Sequence, residues 1–167
     1  VYNIEDQYLF GRNLLIAPVV VEGARQRKIY LPRGKWTDFW TGTVYPGESY
    51  INYRCDLGKI PVLLKDQSVL PLNLGADFQL GGPIGNRVDR YENLCFLLTG
   101  EKTERYRFAD DLENEIFIAA EGGTVELKAS GNLTCVYLLA RQQLAAPADL
   151  IGKLPGRDDL LLYKWKL

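Results

Sequence analysis

The chain has 167 residues, 47% of them hydrophobic, with a formal net charge of −1, so it can build one compact core or two small ones. There is no basic excess to neutralise phosphates, and the longest apolar run, residues 14–21, is too short for a bilayer-spanning helix. The sequence therefore predicts neither a nucleic-acid partner nor a membrane partner.

The absent residue types narrow the chemistry further. The chain contains no His, which excludes Ser-His-Asp and Cys-His catalysis and most zinc sites. It contains no Met, which predicts a piece of a longer polypeptide or a processed product. We expect neither a cofactor nor a bound metal.

The cysteines indicate the compartment. Cys55, Cys95 and Cys135 are odd in number and have no Cys-x-x-Cys spacing, so we expect reduced thiols, with a single disulfide as the open alternative. No basic segment followed by an apolar run marks a signal peptide. Together these features predict a cytoplasmic location.

In chain order, the first elements are short and separated by turns. Residues 1–10 predict a short helical turn that ends at Gly11, a residue suited to a helix C-cap. Residues 14–21 are apolar and interrupted by Pro18, which predicts a strand covered on both faces with a bulge or edge at the proline. Further strands are predicted over residues 27–31, 36–40, 44–45, 49–53, 60–64 and 69–72.

The composition changes after residue 72. Glycines crowd into residues 73–89, which is typical of a linker, and we place a domain boundary there, giving modules 1–80 and 81–167. Later strands are predicted over residues 93–99, 103–107, 115–119, 124–128, 133–139 and 160–165. Residues 142–151 are the only later stretch with a helical alternative, and Pro147 argues against much length there. The predicted fold class is all-β, with two consecutive antiparallel β-sandwich modules.

Several phrases carry a family resemblance in their order and spacing. They are Gln-Tyr-Leu-Phe-Gly at residues 7–11, Leu-Leu-Ile-Ala-Pro-Val at 14–19, and Tyr-Leu-Pro-Arg-Gly-Lys-Trp-Thr-Asp-Phe-Trp-Thr-Gly at 30–42. With Ile-Pro-Val at 60–62 and Val-Leu-Pro-Leu at 69–72, they resemble the region after the catalytic barrel in glycoside hydrolase family 31, the α-glucosidase and α-xylosidase family. The match is specific over residues 1–72 and becomes a general likeness over residues 90–167.

The resemblance implies a function for the longer protein. Family members carry a (β/α)8 barrel with two catalytic Asp residues and hydrolyse α-linked glucose or xylose with retention, which requires carboxylates ~5 Å apart. Both residues lie in the barrel, so no residue here inherits a catalytic role. The resemblance implies a non-catalytic C-terminal region, inactive alone, whose partners are the barrel of the same polypeptide and the carbohydrate substrate of the intact enzyme. The alternative is a free-standing carbohydrate-binding β-sandwich module.

Four aromatic residues are the candidate barrel-facing or interface residues. Tyr8 and Phe10 are expected to be covered by the barrel, and an uncovered patch predicts self-association of this chain. Trp36 and Trp40 have two interpretations, as sugar platforms or as residues packed in the core or on the barrel. We favour the second, because large aromatic side chains dominate core and interface burial.

Two acidic clusters are candidate calcium sites. Asp110-Asp111 with Glu113 and Glu115 supplies carboxylate oxygens, which Ca²⁺ prefers, but lacks the spacing of an EF-hand loop. A solvated acidic turn is the favoured interpretation, and it also applies to Asp158-Asp159.

A basic cluster and a glycine-rich segment complete the candidates. Arg25, Arg27 and Lys28, with Arg12 nearby, are interpreted as a solvated strand face rather than a surface that reaches the barrel or an acidic substrate. Residues 81–85 are rich in glycine but lack the Gly-Lys-Ser/Thr ending of a phosphate loop.

Overall fold

A computed structural model describes residues 4–56, 58–82, 84, 89–145 and 147–167. Over these residues the chain forms strands and no helix. The strands are β1 Tyr8–Phe10, β2 Leu14–Ile16, β3 Gln26–Leu31, β4 Lys35–Asp38, β5 Val44–Pro46, β6 Ser49–Arg54, β7 Val62–Lys65, β8 Val69–Leu74, β9 Leu80–Gly82, β10 Asn93–Leu98, β11 Lys102–Ala109, β12 Glu115–Glu121, β13 Thr124–Ser130, β14 Cys135–Ala140, β15 Asp149–Leu154 and β16 Arg157–Lys166. The predicted all-β fold class is confirmed.

The chain divides into two compact units, Val1–Asp66 (the first unit) and Gln67–Leu167 (the second unit). The first unit contains a five-stranded sheet in the order β1-β2-β7-β4-β5 and a two-stranded ribbon, β3-β6. All of its strand pairs are antiparallel. Sheet and ribbon face one apolar core, which makes this unit a small sandwich. Its buried members are Leu15, Ala17, Ile29, Leu31, Trp36 and Leu63.

The second unit contains a six-stranded sheet in the order β15-β16-β14-β10-β8-β9 and a three-stranded sheet, β11-β12-β13. The pair β10–β14 is parallel, which corrects the expectation of purely antiparallel modules. Side chains from both sheets form one core, in which Phe96 of β10 contacts Phe108 of β11 edge to face, with ring centroids 5.5 Å apart. This layering is a β-sandwich.

The predicted helical turn at the start of the chain is wrong over the described residues. Tyr8–Phe10 forms β1, paired antiparallel with β2 in the register Tyr8↔Ile16. The physical reason is tertiary: pairing with a neighbouring strand satisfies backbone groups that a helix this short could not satisfy stably. Residues 1–3 lie outside the described part.

One other expectation fails, and one open alternative is decided. The apolar run 14–21 forms a strand only as far as Ile16, and Val20 and Val21 are exposed instead of covered. The described residues of the stretch 142–151 form no helix, in agreement with the argument from Pro147, and Asp149–Leu154 forms β15 against β16. In each case partner strands decided the outcome, because local apolar content does not distinguish a covered strand from an exposed loop.

The boundary between modules at residues 80 and 81 stays a prediction. The division into units falls earlier, after Asp66, because β8 is hydrogen-bonded to β10 along its whole length, from Val69↔Leu98 to Leu74↔Asn93. In the part of the chain that the structure describes, no helix has the length and apolarity needed to cross a membrane.

Candidate functional site

Strand β1 carries an exposed apolar surface. Tyr8, Leu9 and Phe10 are 54%, 51% and 66% exposed. The strand lies at the edge of the five-stranded sheet, and among the described strands it pairs only with β2. An unpaired edge with large apolar side chains favours association with another protein surface. The predicted interface residues Tyr8 and Phe10 therefore lie where a partner could reach them.

Two side chains anchor the segment that precedes β1. Gln7 Nε2 donates to the carbonyl oxygen of Tyr30 at 2.7 Å, and Gln7 Oε1 accepts from the Tyr30 amide at 2.9 Å. Arg27 Nη1 donates to the carbonyl oxygens of Asp6 and Pro18, and its Nη2 lies 2.9 Å from Asp6 Oδ2. The Arg27 side chain is largely buried, so this ion pair is less screened by solvent than a surface pair. These contacts hold residues 6 and 7 against β3 and so direct β1.

Trp36 is a core residue. Its side chain is 2% exposed within the apolar core of the first unit, and its indole Nε1 donates to the carbonyl oxygen of Pro32 at 2.8 Å. A buried ring cannot offer a face to a sugar. Packing in the core, the favoured interpretation for this residue, matches the position.

Trp40 is half-buried at a loop. Its Nε1 donates to the carbonyl oxygen of Ile60 at 2.7 Å, and Phe39 packs edge to face with its ring at a centroid distance of 4.9 Å. The ammonium of Lys59 lies 5.9 Å from the ring centroid. These contacts give Trp40 a local role in joining the loop after β4 to the segment before β7. Its predicted role in an interface with the barrel stays a prediction.

A buried carboxylate organises the turn that holds Trp40. Asp38 is almost fully buried, and its Oδ1 accepts from the backbone amides of Trp40 and Thr41 at 2.7 and 2.8 Å. Burial, followed by the hydrogen bond to Asp38 and the charge of that carboxylate, raises the pKa of the Tyr53 phenol. Asp38 therefore satisfies turn amides and a tyrosine hydroxyl, which is a structural role.

The outer side of the β3–β6 ribbon forms a second exposed surface, here named the tyrosine face. Alternation along the two strands places six side chains there, away from the core. The rings of Tyr30 and Tyr50 lie 5.1 Å apart between centroids, and Lys28 Nζ lies 4.3 Å from the Tyr50 centroid. The six residues are Gln26, Lys28, Tyr30, Tyr50, Asn52 and Arg54.

An open cleft of about 560 Å³ lies beside the loop that follows β2. Apolar side chains line much of it, including Val19, Val21 and Ile60, and charged residues such as Arg25 and Lys59 lie at its wall. The sequence did not predict this cleft, because the expected continuous strand over residues 14–21 would place Val19 and Val21 inside a sheet.

The acidic cluster near Asp110 is a turn. Asp110 Oδ1 accepts from the amides of Leu112 and Asn114 at 2.9 and 3.0 Å, and its Oδ2 accepts from Asn114 Nδ2 at 3.0 Å. Partial burial acts to raise the pKa of the Asp110 carboxyl. The hydrogen bonds outweigh this effect, so the net pKa is lowered. Among the described residues no group of three potential ligands could hold a metal, and the acidic-turn interpretation fits this geometry.

Asp159 lies in strand β16 and pairs with two arginines, so its interpretation as part of a solvated acidic turn is wrong. Asp159 Oδ1 lies 2.9 Å from Arg157 Nε and its Oδ2 lies 3.1 Å from Arg141 Nε. Arg157, chiefly through its hydrogen bond, lowers the pKa of Asp159. The interpretation of the basic cluster as a solvated face is wrong for Arg27, because its guanidinium is buried against Asp6 and Pro18.

The remaining sequence candidates add no ligand site. Cys55 and Cys95 are buried, Cys135 is half-buried, and all three are free thiols, as expected. The cytoplasmic location stays a prediction. In the glycine-rich segment, Gly81 and Gly82 belong to β9, whereas residues 83 and 85 lie outside the described residues.

Sequence reasoning missed Gln7, Asp38 and the pair Tyr30–Tyr50. Gln7 and Tyr30 are 23 residues apart, and no local pattern links them. A signal did exist for the tyrosines: they alternate with Ile29, Leu31 and Ile51, which marks them as facing away from the core.

Comparison with known proteins finds relatives of this chain. Residues 1–70 match the family described as the glycosyl hydrolase family 31 C-terminal domain. The isomaltosyltransferase of Sporosarcina globispora is 40% identical over 147 residues, which are 88% of this chain and 12% of that protein. The alpha-xylosidase of Saccharolobus solfataricus is 30% identical over 112 residues, which are 66% of this chain and 14% of that protein.

A solved structure resembles almost the whole chain. The cycloalternan-forming enzyme from Listeria monocytogenes, in complex with a pentasaccharide substrate, matches with a TM-score of 0.76 and 26% identity. The match covers 98% of this chain and 18% of that one. The chain thus spans less than a fifth of the length of each of these relatives.

Proposed function

The chain carries a glycosyl hydrolase family 31 C-terminal domain, and on that premise we propose that it is the non-catalytic β-sandwich region of a retaining α-glycosidase. The intact enzyme hydrolyses α-linked glucosides or xylosides with two carboxylates held in a (β/α)8 barrel. The role of this chain is to support that barrel. The observation that carries the proposal is β1, which presents Tyr8, Leu9 and Phe10 to solvent from an anchored segment.

Three partly or fully buried carboxylates of this chain are committed to structural contacts, which supports a non-catalytic role for them. A retaining glycosidase needs one carboxylate as nucleophile and a second as acid and base, ~5 Å apart. Asp38 is occupied by turn amides, Asp110 by its own turn and Asp159 by two arginines. A nucleophile held in this way would have to break structural bonds in order to reach a sugar.

The anchors of β1 support the docking role. Binding through a strand that is already ordered costs less conformational entropy than binding through a mobile segment. The two hydrogen bonds between Gln7 and Tyr30 and the Arg27–Asp6 ion pair hold that strand in place before any partner arrives. Aromatic side chains such as Tyr8 and Phe10 are also typical centres of protein interfaces.

Co-expression of the chain with the barrel-bearing remainder of its parent tests the proposal. We expect the two parts to co-purify and to hydrolyse p-nitrophenyl α-glucoside or α-xyloside, and the chain alone to show no turnover. Phe10→Ser should reduce co-purification at least fivefold. Leu150→Ser, at a residue 54% exposed on the edge strand β15, is the matched control and should leave it unchanged.

Two outcomes would overturn the proposal: turnover of either substrate by the pure chain, or equal losses from Phe10→Ser and Leu150→Ser. The same apolar strand predicts weak self-association of the isolated chain. Static light scattering should show the average mass rising with concentration, and less steeply for Phe10→Ser.

A free-standing carbohydrate-binding module is the second candidate function. The burial of Trp36 removes the sugar platform first considered for it. One observation still favours sugar binding: the exposed aromatic and polar residues of the tyrosine face. Retention of full barrel activity without this chain, together with saccharide binding by the chain alone, would favour the module.

A further inference from the structure

We propose that the tyrosine face of the first unit is a binding surface for α-linked glucose oligosaccharides. It consists of Gln26, Lys28, Tyr30, Tyr50, Asn52 and Arg54 on the outer side of the β3–β6 ribbon. The inference rests on the proposed function for the identity of the sugar, and on the geometry for the location of the site.

The aromatic pair provides the apolar part of the surface. Tyr50 is 56% exposed, so much of its ring is open to a ligand. Tyr30 stands directly opposite it in the strand register, with the two rings inclined at 58°. A pyranose ring has an apolar side made of C–H groups, which can pack on an open aromatic ring while its hydroxyls stay in contact with polar neighbours.

The pair is held in place before a ligand binds. The backbone amide and carbonyl of Tyr30 are hydrogen-bonded to the Gln7 side chain and not to Tyr50. Tyr30 and Tyr50 therefore form a non-hydrogen-bonded pair of the ribbon, the type in which opposed side chains lie closest. Lys28 Nζ contacts the Tyr50 ring at 4.3 Å from its centroid. These contacts restrict the Tyr30 backbone and the Tyr50 ring before binding, so less conformational entropy is lost when a ligand binds.

The electrostatics of the face complement an acceptor-rich ligand. Two cations, Lys28 and Arg54, and two amides, Gln26 and Asn52, flank the tyrosines, and none of the six residues is acidic. Ammonium and guanidinium groups only donate hydrogen bonds. The face therefore presents positive potential and N–H donors to the hydroxyl and ether oxygens of a saccharide.

The length of the face suits a chain better than a single sugar. The pairs Gln26↔Arg54, Lys28↔Asn52 and Tyr30↔Tyr50 follow one another along the ribbon at every second residue. Steps of two residues are about 6.8 Å apart, so three pairs extend over about 14 Å. We therefore expect affinity to rise from glucose to isomaltotriose or maltotriose.

Titration of the 167-residue chain with glucose, isomaltotriose and maltotriose, followed by ¹H–¹⁵N correlation spectra, tests the site. We expect saturable shifts confined to residues of β3 and β6 with at least one trisaccharide. Tyr50→Ala should weaken binding at least tenfold. Val44→Ala is the matched control, because Val44 is 57% exposed on β5 of the same unit and lies outside both proposed surfaces, and it should change the dissociation constant less than twofold.

A second variant keeps the test decisive if Tyr50→Ala perturbs the fold. Asn52→Asp preserves the shape of the side chain but replaces a donor with a carboxylate, and it should weaken binding at least threefold. The proposal is overturned if no saturable shift occurs, if the shifts map away from β3 and β6, or if Tyr50→Ala binds as well as the parent chain. These results are independent of the Phe10→Ser co-purification test, so either proposal can fail alone.

Discussion

The two units of this chain differ in how completely they bury their own apolar side chains. In the second unit, two sheets enclose Phe96 and Phe108. The large apolar side chains that its strands expose lie on the edge strands β9 and β15. The first unit is smaller and exposes apolar side chains on strand β1 and also in the loop after β2. A smaller unit buries a smaller fraction of its surface, so the first unit has more to gain from a partner.

This difference predicts that buried aromatic residues contribute to folding stability, whereas exposed ones contribute to binding. In the second unit Phe96 and Phe108 are core residues with defined ring contacts. In the first unit Trp36 is such a residue, whereas Tyr8, Phe10 and Tyr50 are exposed. Truncation should therefore cost folding free energy at some aromatic positions and association at others.

The largest expected effect is on the free energy of unfolding, and it appears when Phe96→Ala is compared with Phe10→Ala. Phe96 is fully buried and contacts Phe108 and Tyr106, so Phe96→Ala should lower the free energy of unfolding of the second unit by about 3–5 kcal/mol. Phe10→Ala should change that of the first unit by no more than about 0.5 kcal/mol. Urea unfolding followed by tryptophan fluorescence measures both, and equal losses would remove the distinction between the units.

An intermediate effect is expected from Asp38→Ala in the first unit. The substitution leaves the amides of Trp40 and Thr41 without their acceptor in a partly buried turn, which should cost about 1–3 kcal/mol. Asp38→Asn keeps one acceptor oxygen and should cost less. Urea unfolding resolves the order of the two variants, and a larger loss in Asp38→Asn would contradict the role assigned to Asp38 Oδ1.

The smallest effect concerns acid stability in the second unit. The pKa of Asp159 is lowered from its ordinary value of 3.8, chiefly by Arg157. A lowered folded-state pKa adds stability above the unfolded-state value, and this stability is lost as the pH falls through the folded-state value. Asp159→Asn should therefore cost under about 1 kcal/mol at pH 7, because solvent screens the pair, and the difference should shrink below pH 3.8.

Asp149→Asn is the control for that measurement. Its pair with Lys166 is 3.5 Å long and mostly exposed, so it should change the urea midpoint at neither pH. A difference between Asp159→Asn and the parent chain that persists unchanged in acid would show that the carboxylate charge is not its source.

Local sequence patterns predicted most strands, but for few of them did they predict which face is buried. The alternation around Ile29 and Leu31 indicates a half-covered strand, and both residues are buried. The same reasoning placed Val20 and Val21 in a covered strand, whereas Pro18 ends the pairing and the valines stay exposed. Hydrophobic content alone does not say whether a neighbouring strand exists to cover it.

The amino-acid sequence by itself determined the all-β class, through strand patterns and turn residues. The order of its phrases at residues 7–72 also gave the family resemblance, and residues 1–70 match the glycosyl hydrolase family 31 C-terminal domain. Only the tertiary structure decided which aromatics are available: Trp36 is buried, whereas Tyr50 is exposed. It also brought Gln7 to Tyr30 across 23 residues. The physical reason is that a period-two pattern sorts side chains into two faces, but only packing against other strands determines which face is covered.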